Sequence, residues 1–194
     1  MKRIVTISRE FGSGGRSIGK KVAQELGFAY YDKELIEKVA ESTGLHKDYV
    51  KEHGEYGSRG NKFAYSFFGW GGESSVDDFL WTTQRNIILE LAEKGNCVIV
   101  GRCSDYILRD REDSLHVFVY GDPKKRAERV VELYGKTDQP MEKRLAEKDK
   151  KRGVNYNYYT DRKWGQPSNY HLCLNSLEIG LDKCADLIVQ LAKN

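Results

Sequence analysis

Proline occurs only three times in 194 residues, so no proline-rich linker is present. No run of 18 apolar residues occurs, and the sequence predicts no membrane span. The four cysteines, Cys97, Cys103, Cys173 and Cys184, form no C-x-x-C pair. That argues against a redox or zinc motif and predicts reduced, partly buried thiols. The four histidines are scattered, and no zinc site is predicted. An apolar signal region is also missing, since Lys2-Arg3 runs directly into a strand-like segment, so a cytoplasmic location is expected. Charge of one sign is not in excess: 32 basic and 29 acidic residues leave a net +3. There is no internal repeat and no inter-domain linker, and one domain with a sizeable core is expected.

One further absence bears on function. Arg9 to Lys20 reads REFGSGGRSIGK, three glycines between a β-branched run and an apolar-periodic stretch. Strand, glycine turn, helix is the setting of a phosphate-binding loop, but the pattern G-x-x-x-x-G-K-[ST] is not met. Glu10 holds the first glycine position and Arg16 the lysine position. The chemistry of such a loop is still available. Gly12, Ser13, Gly14 and Gly15 can turn backbone N–H groups onto phosphate oxygens, and the helix that follows adds a favourable dipole. Arg16 supplies a cation, as a planar fork rather than a compact ammonium. The Ser17 hydroxyl can ligate Mg²⁺.

The rest of the chain alternates. Ile4–Ile7 reads as a strand. Ile18, Val22 and Leu26 recur at helical spacing before Gly27. Phe28–Tyr31 is a short strand, and Asp32 can cap a helix carrying Leu35, Ile36 and Val39 that ends near Gly44. Ser75-Val76-Asp77-Asp78 has the form of a capping box ahead of a long amphipathic run to Gly95. Cys97–Val100 is all apolar, as in a strand covered on both faces, and Leu115–Tyr120 is another strand. Asp122-Pro123 starts a helix. Leu172–Leu174 is a last strand, followed by a C-terminal helix. The alternation predicts an α/β fold with a parallel sheet covered by helices on both faces.

Two segments break the rhythm. Residues 45–74 are rich in glycine and aromatics, and residues 137–170 are basic and then rich in tyrosine and asparagine. Excursions of that length in a compact α/β domain are usually functional lids or disordered segments. The aromatics Phe63, Tyr65, Phe67, Phe68 and Trp70 could close over an acceptor base, form a dimer surface or make a hydrophobic lid. Residues 141–163 carry eight basic and four acidic side chains, net +4 against +3 for the whole chain. Arg144, Lys148 and Arg152 stand four apart on one helical face, with Arg152 expected to end that helix at Gly153. Because the remainder is slightly acidic, an extended nucleic-acid-binding stripe is not expected. Arg102, at the end of the buried strand, can clamp an acceptor phosphate, and Asp32 and Tyr31, at the end of the second strand, can contact an acceptor.

These stretches together resemble the cytidylate kinase-like family, within the nucleoside monophosphate kinases. The resemblance rests on the opening MKRIVTISREFGSGGRSIGKKVAQELGFAYYDKELI, on GRCSDYIL, VFVYGDPKKRAERV, LAEKDKKR, NYNYYTDRKWG and LCLNS, and so spans nearly the whole chain. It implies one P-loop domain over residues 1–194 with a five-stranded parallel sheet. The core would be 1–44 and 75–136, with an acceptor arm at 45–74, a mobile lid at 137–170 and a closing strand and helix at 171–194. It implies transfer of the γ-phosphoryl of ATP, with Mg²⁺, to a small nucleotide, CMP or dCMP first. Arg16, Arg102, Arg144 and Arg152 would carry the catalysis. The chain departs from cytidylate kinases at Arg16, where they have lysine, and in the 45–74 insert. A nucleotide-binding module without turnover, and a kinase of another acceptor, therefore stay open.

Overall fold

A computed structural model describes residues 1–56 and 72–194; of the side chains, those of residue 33 and of residues 52–76 are not described. The strands are β1 (Ile4–Arg9), β2 (Ala29–Tyr31), β3 (Cys97–Val100), β4 (Ser114–Tyr120) and β5 (Leu172–Asn175). They form one parallel sheet in the order β2-β3-β1-β4-β5. The helices are α1 (Gly15–Leu26), α2 (Lys33–Thr43), α3 (Lys47–Tyr56), α4 (Gly72–Lys94), α5 (Ser104–Ile107), α6 (Pro123–Tyr134), α7 (Met141–Thr160), α8 (Ser176–Ile179) and α9 (Leu181–Lys193).

The period of two in the strands explains the layering. Val5 and Ile7 point to one face and pack with Ile18 and Val22 of α1 and Ile188 of α9. Ile4 and Ile99 point to the other and pack with Leu35 and Val39 of α2, Val50 of α3, and Leu80 and Ile88 of α4. Burial on both faces is why β3 is apolar throughout. Each fully buried aliphatic side chain contributes roughly 1.5–3 kcal/mol, so both clusters stabilise the sheet heavily. Among the described residues no helix is long and apolar enough to cross a membrane. The four cysteines are free, and three of them are buried.

Asp122 caps α6 as expected, accepting from the N–H groups of Lys124 at 2.9 Å and Lys125 at 3.1 Å. Three expectations need correction. Ser75 does not cap a helix, because α4 already starts at Gly72. The 45–74 segment does not leave the core at once: its first part is α3, which buries Val50 completely. Gly153 does not end the basic helix, since α7 continues to Thr160. Burial of Asn155, Tyr156 and Thr160 outweighs the cost of about 1 kcal/mol for a glycine inside a helix. The aromatic cluster at 63–70 lies outside the described residues.

One core feature makes stability depend on pH. His116 of β4 is 3% exposed, its Nδ1 is 2.8 Å from the Thr6 hydroxyl, and its ring stacks on His171. Burial first, then the neighbouring His171, push its pKa down to about 4 from 6.5. The unfolded chain therefore takes up the proton first as pH falls, and stability is lost between about pH 6.5 and pH 4. The loss amounts to about 3 kcal/mol at the lower end. Urea midpoints at pH 7, 5.5 and 4 should fall in that order, and His116→Gln should flatten the trend. An unchanged slope in that variant would assign the acid sensitivity elsewhere.

Candidate active site

The loop between β1 and α1 is built by glycines in conformations that other residues avoid. Gly12 and Gly14 both have φ of +83°. A Cβ on Gly12 would lie 2.9 Å from the Arg126 carbonyl oxygen, and one on Gly15 would lie 2.6 Å from the Arg9 Cβ. Ser13 is buried and braces the turn. Its hydroxyl donates to the Glu10 carbonyl at 2.9 Å, and its own carbonyl accepts from the Ser176 hydroxyl. Glu10 stands where the loop pattern has glycine because it is tied to the end of β4. Its carboxylate accepts the Gly121 N–H at 3.1 Å and lies 3.4 Å from Arg126 Nε. Burial raises its pKa, and Arg126 opposes that rise.

Arg16, at the lysine position, turns sideways. Its Nε lies 2.9 Å from Asp32 Oδ2, while Arg9 Nη2 lies 3.9 Å from Oδ1. Asp32 sits at the cap position of α2 but makes no side-chain capping bond; its carboxylate serves the arginines instead. Arg16 remains 43% exposed. Ser17 is exposed, and its hydroxyl accepts from Arg129 Nη2 at 3.1 Å, across from α6.

At the end of β3, Gly101, Arg102 and Cys103 are three consecutive residues with positive φ (76°, 61° and 54°). Two of them are not glycine, a strained arrangement costing about 1–3 kcal/mol each that persists only where packing over-determines it. The packing comes from two helices. Arg102 Nη1 donates to Gln84 Oε1 of α4 at 2.9 Å and to the Val50 carbonyl of α3 at 3.3 Å. Gln84 in turn donates to the Arg102 carbonyl. Helix α3 thus positions Arg102.

Two clefts open at this edge of the sheet. The first, about 510 Å³, is lined by the loop, Arg16, Ser17, Arg129, Leu133 and Tyr134. The second, about 290 Å³, is lined by Ser8, Gly101, Arg102, Cys103, Asn155, Tyr156 and Trp164. Arg9 and Arg152 line both. Beneath the second cleft Asp105 is fully buried. It accepts from Ser8 at 3.0 Å and from the Tyr156 hydroxyl at 2.7 Å. Burial raises its pKa, and these two donors oppose the rise. Among the described residues no cluster of three acidic, histidine or cysteine side chains could hold a metal.

A model of the cytidylate kinase-like family matches residues 4–178. The chain belongs to the cytidylate kinase-like family. This kinase-like chain is similar over its full length to the solved structure of an uncharacterized protein from Eubacterium ventriosum. The identity is 28%, the TM-score 0.76, and 99% of that chain is covered. Shikimate kinase from Bacteroides thetaiotaomicron is 18% identical, with 98% of both chains covered and a TM-score of 0.57. Shikimate kinase from Acinetobacter baumannii, solved in complex with shikimate, is 15% identical, with 98% of this chain and 93% of that one covered and a TM-score of 0.58. These two establish the shared P-loop kinase fold. No curated protein matches the chain.

In this member of the family, Gly12, Gly14, Gly15, Arg16 and Ser17 line the first cleft, Arg102 the second, and Arg152 their junction. Four predicted site residues go elsewhere, among them Asp32, whose carboxylate pairs with Arg16 and Arg9 and lines neither cleft. Ser13 turns inward as described. Tyr31 packs against the core cluster under α2 and α4, and lines neither cleft. Arg144 lies over the Phe11 ring at 5.8 Å and also lines neither. Sequence reasoning missed Arg9, Arg126, Arg129 and Asp149. Arg126 and Arg129 were findable: three apart in a helix capped by Asp122, they share the face turned to the loop. Asp149 was not, because its partners lie 23 and 138 residues away.

Proposed function

We propose that this P-loop kinase transfers the γ-phosphoryl group of ATP to the phosphate of a nucleoside monophosphate, CMP or dCMP first, in the cytoplasm. The observation that carries the reading is the pair of clefts meeting at Arg9 and Arg152. A donor phosphate in the glycine loop and an acceptor anion at Arg102 would face each other across those two cations. Phosphoryl transfer asks the protein for positioning and charge neutralisation more than for covalent chemistry.

The loop would hold the β- and γ-phosphates by backbone N–H groups, with Arg16 and Arg129 at its mouth. Arg102, rigidly held by Gln84 and Val50, would orient the acceptor phosphate. Arg152 would face the charge that spreads over the transferring group. Magnesium would supply further charge neutralisation when bound. The donor set fits it modestly: the Ser17 hydroxyl is exposed at the loop, and Mg²⁺ takes few protein ligands besides phosphate oxygens and water. The Arg129 bond to Ser17 would have to give way.

The 2.9 Å pairing of Arg16 with Asp32 favours one second reading, a nucleotide-binding module without turnover, since the loop's own cation is engaged. Binding and transfer separate the two. Saturating Mg-ATP, at about a hundred times its dissociation constant, should add roughly 2.7 kcal/mol and raise the melting temperature by about 5–10 °C. Consumption of ATP with a panel of nucleoside monophosphates then marks the enzyme. A melting shift without consumption for any acceptor supports the module, and no shift with ATP or GTP removes the phosphate-loop reading.

A further inference from the structure

The loop and helix α7 are joined by one carboxylate. Asp149 of α7 accepts the Phe11 N–H at 2.7 Å through Oδ1 and the Arg126 Nη1 at 2.6 Å through Oδ2. Arg126 Nη1 also donates to the Phe11 carbonyl at 3.0 Å. Both ends of the Phe11 residue are therefore held, immediately before Gly12. The same Oδ1 lies 3.5 Å from Arg152 Nη1, one turn along the helix, and that Nη1 donates to the Arg9 carbonyl. The Asp149 carboxylate thus ties loop, α6 and α7 together through two arginines and one peptide N–H, with Glu10 of the loop against Arg126 on its other side.

We infer that Asp149 is a positioning residue: it clamps the start of the phosphate loop at Phe11 and holds Arg152 at the junction of the two clefts. This rests on the proposed role of Arg152. A carboxylate suits the position for two reasons. It can accept from several donors at once, and charge-assisted bonds are shorter and stronger than neutral ones. Its effect on the reaction is indirect, because Asp149 itself lines neither cleft. A helix moving with respect to the loop would have to break these bonds together, so the loop and the cation that serves it move as one piece.

The test uses the full-length protein with Asp149→Asn, which keeps the shape and an acceptor, and Asp149→Ala. Two readouts are taken. In the ligand-free protein, exchange of the Phe11 amide in Asp149→Ala should quicken at least about tenfold, while that of Ile18 in α1 stays as in the parent. Turnover of Asp149→Asn should fall about tenfold or more with the KM for ATP within about threefold. Adding Arg152→Ala to Asp149→Asn should then bring turnover to within about threefold of Arg152→Ala alone, because the two act through one group. Parent-like exchange at Phe11, parent-like turnover, or losses that multiply in the double variant would each overturn the inference. If the parent phosphorylates no acceptor, the proposed function falls and the exchange measurement alone decides the clamp.

Discussion

Arg152→Ala should turn over at least about a hundredfold more slowly than the parent, a loss of roughly 2.7 kcal/mol in transition-state stabilisation. Arg152 is 7% exposed and lies 3.5 Å from Asp149, so it is not a solvated helix charge of the kind whose removal changes little. It lines both clefts, and in the proposed reaction charge would spread there onto the transferring phosphoryl only in the transition state. Arginines in that role contribute about 10³–10⁵ in rate. The smaller loss expected of Arg152→Ala allows for Arg9, which lines the same two clefts. The melting temperature should drop by only a few degrees, since Asp149 keeps Arg126 and the Phe11 N–H as partners. Arg144→Ala makes the contrast. Arg144 lies over the Phe11 ring outside both clefts, and its removal should cost less than about tenfold in turnover. Steady-state rates of the three proteins check this. An Arg152→Ala enzyme within about threefold of the parent places the transition-state cation on another residue.

Gly12→Ala should be the most damaging single change in the loop. The substitution meets two penalties. A φ of +83° disfavours any residue with a Cβ, and that Cβ would lie 2.9 Å from the Arg126 carbonyl oxygen and 2.9 Å from Val130 Cγ2. The first neighbour is backbone and cannot swing away. Together these should cost about 3 kcal/mol, or roughly 6–12 °C in melting temperature, and should abolish the stabilisation by Mg-ATP as the loop is pushed open. Gly27→Ala separates strain from clash. Gly27 has φ of +67° but nothing within 4 Å of the added carbon, so its cost should stay near about 1 kcal/mol with nucleotide stabilisation intact. Equal losses in the two variants would mean that Gly12 is only a turn.

How much of this was legible follows from what lies close in sequence. Ile4–Ile7 running into Gly12, the apolar run Cys97–Val100 and the Asp122-Pro123 start each carry their signal locally, and each forms the element expected of it. Helix α3 was hidden because Gly54 and the glycines that follow read as a loose excursion, whereas burial of Val50 decides the matter. Gly153 misled for the same reason. At the site, the loop glycines, Arg16, Ser17 and Arg102 could be named because strand ends and a glycine turn place them. Two things could not be read. One is that Arg16 turns to Asp32, since either direction suits an arginine there. The other is the Phe11–Arg126–Asp149–Arg152 arrangement, which exists only once α6 and α7 pack on the loop.

The most direct test is to follow the labelled γ-phosphate of ATP with Mg²⁺ and each of CMP, dCMP, UMP, AMP and GMP in turn. Label should appear on a nucleoside monophosphate as its diphosphate, CMP or dCMP first, and should fall at least about a hundredfold in Arg152→Ala. Label that stays on ATP, or is released only as inorganic phosphate whatever acceptor is present, would contradict the account.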